Sequence, residues 1–331
     1  MKRLMLWLGA LCVALAGTGL VVLDRFSLPG PARVSELVFE VAGQPVAGTL
    51  VLPPEAASAV VLLVHGDGPQ DRWSDGGYFP LVQALLAAGI GVFSWDKPGV
   101  GQSGGDWLAQ SMQTRADEAA AALRFLRDRE GIAAGRLGFL GFSQAGWVVP
   151  QAAMTADAAF VVLVGPAVNW RRQGAYFTRR QLERAGLGPE DVAEAVARNL
   201  AENDALFGAQ GTSCTDRPDL SAARCGFVRR NYGADAGAAS LAMTMPVLVM
   251  VGAEDLNVDP GETAEVLGRN PRHDVRIIPA ATHSLLRARH YNHQTPQDWP
   301  LSAQLRFLLA GQRAYAPGVL DQITGWILQQ P

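Results

Sequence analysis

The chain has 331 residues, 49% apolar and 18% charged, which excludes a disordered polypeptide and leaves room for one large α/β domain or two modest ones. A formal net charge of −3 excludes the basic field that a nucleic-acid partner needs. Three cysteines, with no CxxC and no paired Cys/His spacing, offer no zinc site and no disulfide scaffold.

Met1-Lys2-Arg3 precede Leu4–Leu23, a run of 20 residues without a charge. As a helix it reaches about 30 Å, the thickness of a bilayer core, and it lacks the polar face of a buried core helix. The basic residues before it leave the rest of the chain outside the cytoplasm. Ala14-Leu15-Ala16 offers a cleavage site, whereas the apolar continuation to Leu23 favours an uncleaved anchor. Residues 1–26 are therefore a signal peptide or an N-terminal membrane anchor. The expected location is periplasmic, or on the outer face of the membrane with contact through residues 4–23.

After a Pro/Gly linker, Val34–Val41 and Pro45–Leu52 read as a hairpin closed by a Gly-Gln turn. Apolar runs then alternate with helical patterns. Strands are expected at 59–64, 90–95, 136–140, 160–164, 246–251 and 274–278. Helices are expected at 78–88, 114–130 (capped by Thr114 and Asp117), 145–156 and 261–268, with closing helices at 302–309 and 318–328. Strands apolar throughout, alternating with helices, indicate a parallel sheet covered on both faces. Residues 169–243 break the rhythm with a helical, charged segment too long for a loop, read as an inserted helical subdomain between core segments 27–168 and 244–331. Within it Cys214 and Cys225 lie 11 residues apart in a polar stretch. In an oxidising compartment that pair reads as a disulfide closing a short loop.

The strongest local signal is Gly141-Phe142-Ser143-Gln144-Ala145-Gly146, between an expected strand and an expected helix. A serine on so sharp a turn is pushed clear of its neighbours, and the small residues around it let the strand and helix backbones approach. The next backbone N–H, that of Gln144, sits at a helix start where developing negative charge is stabilised. Asp255 follows the strand at 246–251, where a carboxylate can orient an imidazole, with Glu254 and Asp259 as competitors. His283 follows the next strand, with His290 and His293 as competitors further along. The Gly-rich stretch Val64-His65-Gly66-Asp67-Gly68-Pro69 can present a second backbone N–H, that of Asp67, beside Gln144; His65 reads as structural. Gly99-Val100-Gly101-Gln102-Ser103-Gly104 matches a dinucleotide fingerprint by letter only, because it follows a later strand and opens no helix.

HGDGPQDR (65–72), DKPGVGQSGG (96–105), GFSQAGW (141–147), GAEDLNV (252–258) and ATHS (281–284) together resemble the α/β-hydrolase superfamily on its serine-esterase and serine-aminopeptidase side. The first stretch is similar to bacterial acyl-ester hydrolases with HGSGP in that loop. The resemblance implies a mostly parallel eight-stranded sheet flanked by helices, a helical cap built from the insertion, no cofactor, and ester hydrolysis through a Ser143–His283–Asp255 triad. Two residues depart from the pattern: Asp67 replaces a serine in the oxyanion loop, and Ala145 replaces a glycine after the nucleophile. The expected partner is a small acyl ester. The alternatives are a short peptide, with Glu183, Glu190 or Glu194 holding an α-amino group, and a catalytically idle, membrane-tethered binding module.

Overall fold

The computed structural model describes residues 25–209 and 220–330. The leader expected over 1–26, apart from its last two residues, and Cys214 lie outside the described residues. Among the described residues no helix is long and apolar enough to cross a membrane.

Eight strands form one sheet: β1 (Arg33–Val41), β2 (Gln44–Leu52), β3 (Ala59–Val64), β4 (Ile90–Trp95), β5 (Leu137–Phe142), β6 (Phe160–Val164), β7 (Val247–Gly252) and β8 (His273–Ile278). Their order across the sheet is β1-β2-β4-β3-β5-β6-β7-β8. The first two neighbour pairs are antiparallel and the rest parallel. β3 to β7 are buried along almost their whole length, which is why they read as unbroken apolar runs. The hairpin turn falls one residue earlier than expected. Ala42 and Gly43, both at positive φ, make the two-residue loop, and Gln44 pairs with Val41.

Helices α1 (Phe79–Ala87), α2 (Met112–Asp128) and α3 (Val149–Ala156) connect the central strands. The inserted segment carries α4 (Trp170–Arg184), α5 (Pro189–Phe207), α6 (Ala222–Asn231) and α7 (Gly237–Ala242). After it come α8 (Pro260–Leu267), α9 (Ala288–Tyr291), α10 (Leu301–Ala310) and α11 (Val319–Ile327). One face of the sheet packs on alanine- and leucine-rich α2 and α3, the other on α1 and α11. The cap of α2 is not Thr114 and Asp117. Ser111 is the N-cap, with Thr114 answering it in a reciprocal capping box that starts the helix two residues early.

The insertion has a small core of its own, Phe207, Cys225 and Tyr232. It is tied internally by Arg171, which grips Asp204 at 2.7 and 2.5 Å while Tyr232 Oη donates to the same carboxylate. Its entry is anchored to the body by Trp170, stacked 4.8 Å from Trp147 in the turn after β5. Cys225 is disulfide-bonded.

Candidate active site

The carboxyl ends of β5, β7 and β8 bring Ser143, Asp255 and His283 to one edge of the sheet. Ser143 stands directly after β5 at φ +53°, a left-handed conformation unusual for a side chain with a Cβ. The chain then makes a 3-10 turn, Ser143–Trp147, before α3 begins at Val149, so the expected helix starts four residues late. The departure at Ala145 is accommodated by Gly141. A Cβ there would lie 2.9 Å from the Ala145 methyl, so the glycine supplies the space that the alanine takes.

Asp255 is buried, and its carboxylate is fully committed. Oδ1 accepts the N–H groups of Asn257 (2.7 Å) and Val258 (3.0 Å), and Oδ2 lies 2.7 Å from His283 Nδ1. That contact places the imidazole proton on Nδ1 and leaves Nε2 as the basic nitrogen. Burial disfavours the imidazolium, but the charge and hydrogen bond of Asp255 outweigh it, so the pKa of His283 is raised above 6.5. The exit of β6 touches both Ser143 and His283. Ala167 N donates to the Ser143 carbonyl at 3.1 Å, and the His283 ring lies against Gly165, where a Cβ would come within 2.9 Å of Nδ1. Among the described residues His283 bonds Asp255 through Nδ1, and no hydrogen bond joins it to the Ser143 hydroxyl.

The competing residues serve elsewhere. Asp259 caps α8 through the N–H groups of Gly261 and Glu262, and Glu254 is exposed. His290 pairs with Arg306, and His293 packs beside Trp299. His65 is structural, its Nε2 2.6 Å from the Trp95 carbonyl. Burial, helped by the charge of Lys97, pushes its pKa down to about 3.

The backbone N–H groups of Asp67 and Gln144 have no acceptor among the described residues. Their side chains join each other, Gln144 Nε2 donating to Asp67 Oδ1 at 3.0 Å, which fixes the spacing of the two loops that carry those amides.

The sequence pattern of the family described as serine aminopeptidase S33 matches residues 55–289, which span β3 to α9 and all three of these side chains. The chain belongs to this family of α/β-hydrolases. Its fold is shared with an esterase of Pyrococcus furiosus (18% identity, TM-score 0.54, covering 76% of this chain and 84% of that one). An esterase of Pyrobaculum calidifontis has it too (19%, 0.57, 95% and 90%), as does Est1E of Butyrivibrio proteoclasticus with ferulic acid bound (16%, 0.57, 89% and 98%). No curated protein matches the sequence.

Behind the 65–69 loop of this hydrolase lies a buried polar network that no local motif announced. Lys97 Nζ donates to the carbonyls of Gly66 (2.5 Å) and Gly68 (2.8 Å). Arg115 of α2 donates to the His65 carbonyl at 2.8 Å and to Gln144 Oε1. Glu118, one turn further along α2, accepts from Trp95 Nε1 at 2.7 Å and Gln110 Nε2 at 2.6 Å. Burial, followed by the nearby charge of Arg115, pushes the Lys97 ammonium well below its ordinary range. The one available signal was compositional: apart from Lys2, every basic residue but Lys97 is an arginine. A compact ammonium with three rotatable donors reaches two carbonyls of a tight turn where a planar guanidinium does not fit.

The Asp67 carboxylate is paired. Arg224 of α6 holds it at 2.7 and 3.2 Å, and that guanidinium lies over the rings of Trp107 and Phe227. Burial works against the Asp67 anion, but the hydrogen bond and charge of Arg224 overcome it, leaving its pKa below the usual carboxylate value. Tyr176 of α4 donates to the Asp255 carbonyl at 2.7 Å, a second tie from the insertion to the site. The fingerprint-like glycines at 99–105 form a tight turn around Asp96, whose carboxylate binds Arg72 and the Gln102 N–H. A cleft of about 570 Å³ lies between α4 and α8, away from Ser143; its charges pair internally, Arg172 with Glu262 and Arg269 with Glu265.

Proposed function

We propose that this hydrolase cleaves carboxylic esters through an acyl-enzyme on Ser143. The observation that carries the reading is the 2.7 Å contact between Asp255 and His283 Nδ1 at the sheet edge where Ser143 is held at positive φ. His283 Nε2 takes the Ser143 hydroxyl proton as Oγ bonds to the acyl carbon. The carbonyl oxygen becomes an oxyanion facing the N–H groups of Asp67 and Gln144. The intermediate collapses, the C–O bond to the alcohol breaks, and the imidazolium returns its proton to the departing alkoxide. Water then attacks the acyl carbon with His283 again as base, releasing the acid and the free serine. The reaction needs no cofactor.

The test is labelling of the full-length chain with a fluorophosphonate, followed by peptide mass spectrometry. An adduct on Ser143 that disappears in His283→Ala supports the proposal; a folded chain that takes no label refutes it. A peptidase reading draws support from the family description. Against it, Glu183 and Glu194 are paired with Arg180 and Arg198, and Glu190 is exposed on α5. Turnover of aminoacyl p-nitroanilides above that of p-nitrophenyl butyrate would decide for the peptidase. The proposal also places the hydrolase outside the cytoplasm, held by residues 4–23, on the strength of the apolar run and the basic residues before it.

A further inference from the structure

Helix α10 is amphipathic the wrong way round. Its inner side, toward the body, is Ala303, Phe307 and Ala310. Its outer side is leucine: Leu301, Leu305 and Leu309 are 68%, 50% and 46% exposed, and Leu308 is half-buried beside them. At about 100° per residue these four leucines fall within an arc of roughly 100° opposite the inner side, with Gln304 and Arg306 on the flanks. A surface helix ordinarily presents polar residues there, and a contiguous exposed apolar stripe marks a contact surface.

Two observations say what the contact is. The described chain begins against this same helix. Phe26 meets Phe307 edge-on at 5.5 Å, and the Arg25 side chain lies against Gly311 at the end of α10. The first described residues therefore sit against the helix that carries the stripe, two positions after the apolar run of residues 4–23 in the sequence. The surroundings are also basic in a chain that is acidic overall. Residues 287–313 hold four arginines and one acid, Asp298, and Arg289, Arg306 and Arg313 are exposed. Leucines outward with arginines at the rim are what an interfacial helix presents to anionic lipid: apolar side chains enter the acyl boundary and guanidinium groups meet phosphates.

We propose that the outer face of α10 is a lipid-contacting surface that seats the hydrolase on an anionic bilayer beside residues 4–23. The inference rests on reading residues 4–23 as membrane-inserting. Contact along α10 would fix the orientation of the body, which a tether alone would leave free.

The test uses the full-length chain with Cys12→Ser, reconstituted in phosphatidylcholine/phosphatidylglycerol vesicles. One variant carries a nitroxide at Leu305→Cys. The other carries it at Leu241→Cys, an exposed leucine on α7. Vesicle flotation reports the tether, and accessibility to oxygen against a water-soluble nickel chelate reports the depth of each label. The expected result is flotation of both, with label 305 favouring oxygen and label 241 favouring nickel. A second variant, Leu301→Ser/Leu305→Ser/Leu309→Ser, should keep its circular dichroism and ester turnover. A label placed at Ser302→Cys, exposed beside the leucines, should lose its contact with lipid in that background. Flotation with label 305 in water overturns the surface and leaves the tether standing. Failure to float overturns the reading of residues 4–23 and the proposal with it. Spin–spin broadening at 305 without lipid exposure would assign the stripe to a second copy of the chain and likewise overturn the proposal.

Discussion

Replacing Asp255 with asparagine separates orientation of the base from packing. The amide oxygen of the substituted side chain can still accept the N–H groups of Asn257 and Val258, so the buried turn keeps both bonds. The amide nitrogen then faces His283 Nδ1, where the carboxylate Oδ2 stood at 2.7 Å. Because it donates, Nδ1 must accept, the ring proton moves to Nε2, and the base proposed to act on Ser143 is lost. At an effective dielectric of about 20, a charge pair at 2.7 Å attracts by about 6 kcal/mol, before burial is set against it. A loss of about 10³–10⁴-fold in kcat, about 4–5.5 kcal/mol, fits within that figure. The assay is hydrolysis of p-nitrophenyl butyrate across pH, with thermal denaturation as a control. As the proposed base, His283 must be neutral to act, so activity should rise through a midpoint above 6.5, its raised pKa. The same raised pKa makes the ion pair stabilise the fold fully below pH 6.5, a contribution lost as pH climbs through the folded value. Without the carboxylate, burial alone acts on the imidazole, and the residual activity should have its midpoint below 6.5. A loss under tenfold, or an acid limb that does not move, would refute the assignment of Asp255.

Lys97→Met leaves the carbonyls of Gly66 and Gly68 without a donor. It should cost about 2–4 kcal/mol in urea denaturation and lower kcat more than it changes KM, while Lys97→Arg should not rescue it. Arg224→Ala releases the Asp67 carboxylate beside the proposed oxyanion position and should lower kcat/KM for esters about tenfold or more. Adding Asp67→Asn should recover most of that loss, and a double-mutant cycle that comes out additive would sink the coupling. Reduction of the Cys225 disulfide should lower stability by about 2–4 kcal/mol, and non-reducing peptide mapping should find Cys214 as the partner.

What the sequence made legible was local. The sheet strands are short apolar runs bounded by turns, and Ser143, Asp255 and His283 each follow a strand by one to five residues, so their order could be read along the chain. Competitors such as Asp259 and His290 could not be dismissed that way, because a helix cap and an arginine contact show only in three dimensions. Small slips have local causes. Ala42 and Gly43 carry the positive φ of a turn that the reading placed at Gly43-Gln44, and Ser111 outcompeted Thr114 as a cap. The network at Lys97, Arg115 and Arg224 was illegible for a different reason. Arg224 and Asp67 are 157 residues apart, and no periodicity links a cap helix to a loop after β3. The closing helix at 301–310 was legible as a helix, but its leucines were not legible as outward-facing. Facing depends on where the body lies, and Ala303 and Phe307, not the leucines, took the inner side.

The acid at position 67 ties these findings together. A carboxylate two residues past His65, beside an amide meant to stabilise negative charge, opposes catalysis unless a cation holds it. In the sheet core the nearest cations, Lys97 and Arg115, are already spent on backbone carbonyls and on Gln144. The missing charge comes from the insertion, through Arg224 on α6, steadied over Trp107 and Phe227. If the Asp67 amide has the proposed role, the departure at Asp67 and the helical insertion act as one device: a core folded without α6 would leave that carboxylate unpaired beside the oxyanion. If that dependence holds, a chain with 169–243 replaced by a short linker should be inactive even where it folds, and Asp67→Ser in that background should restore part of the ester turnover.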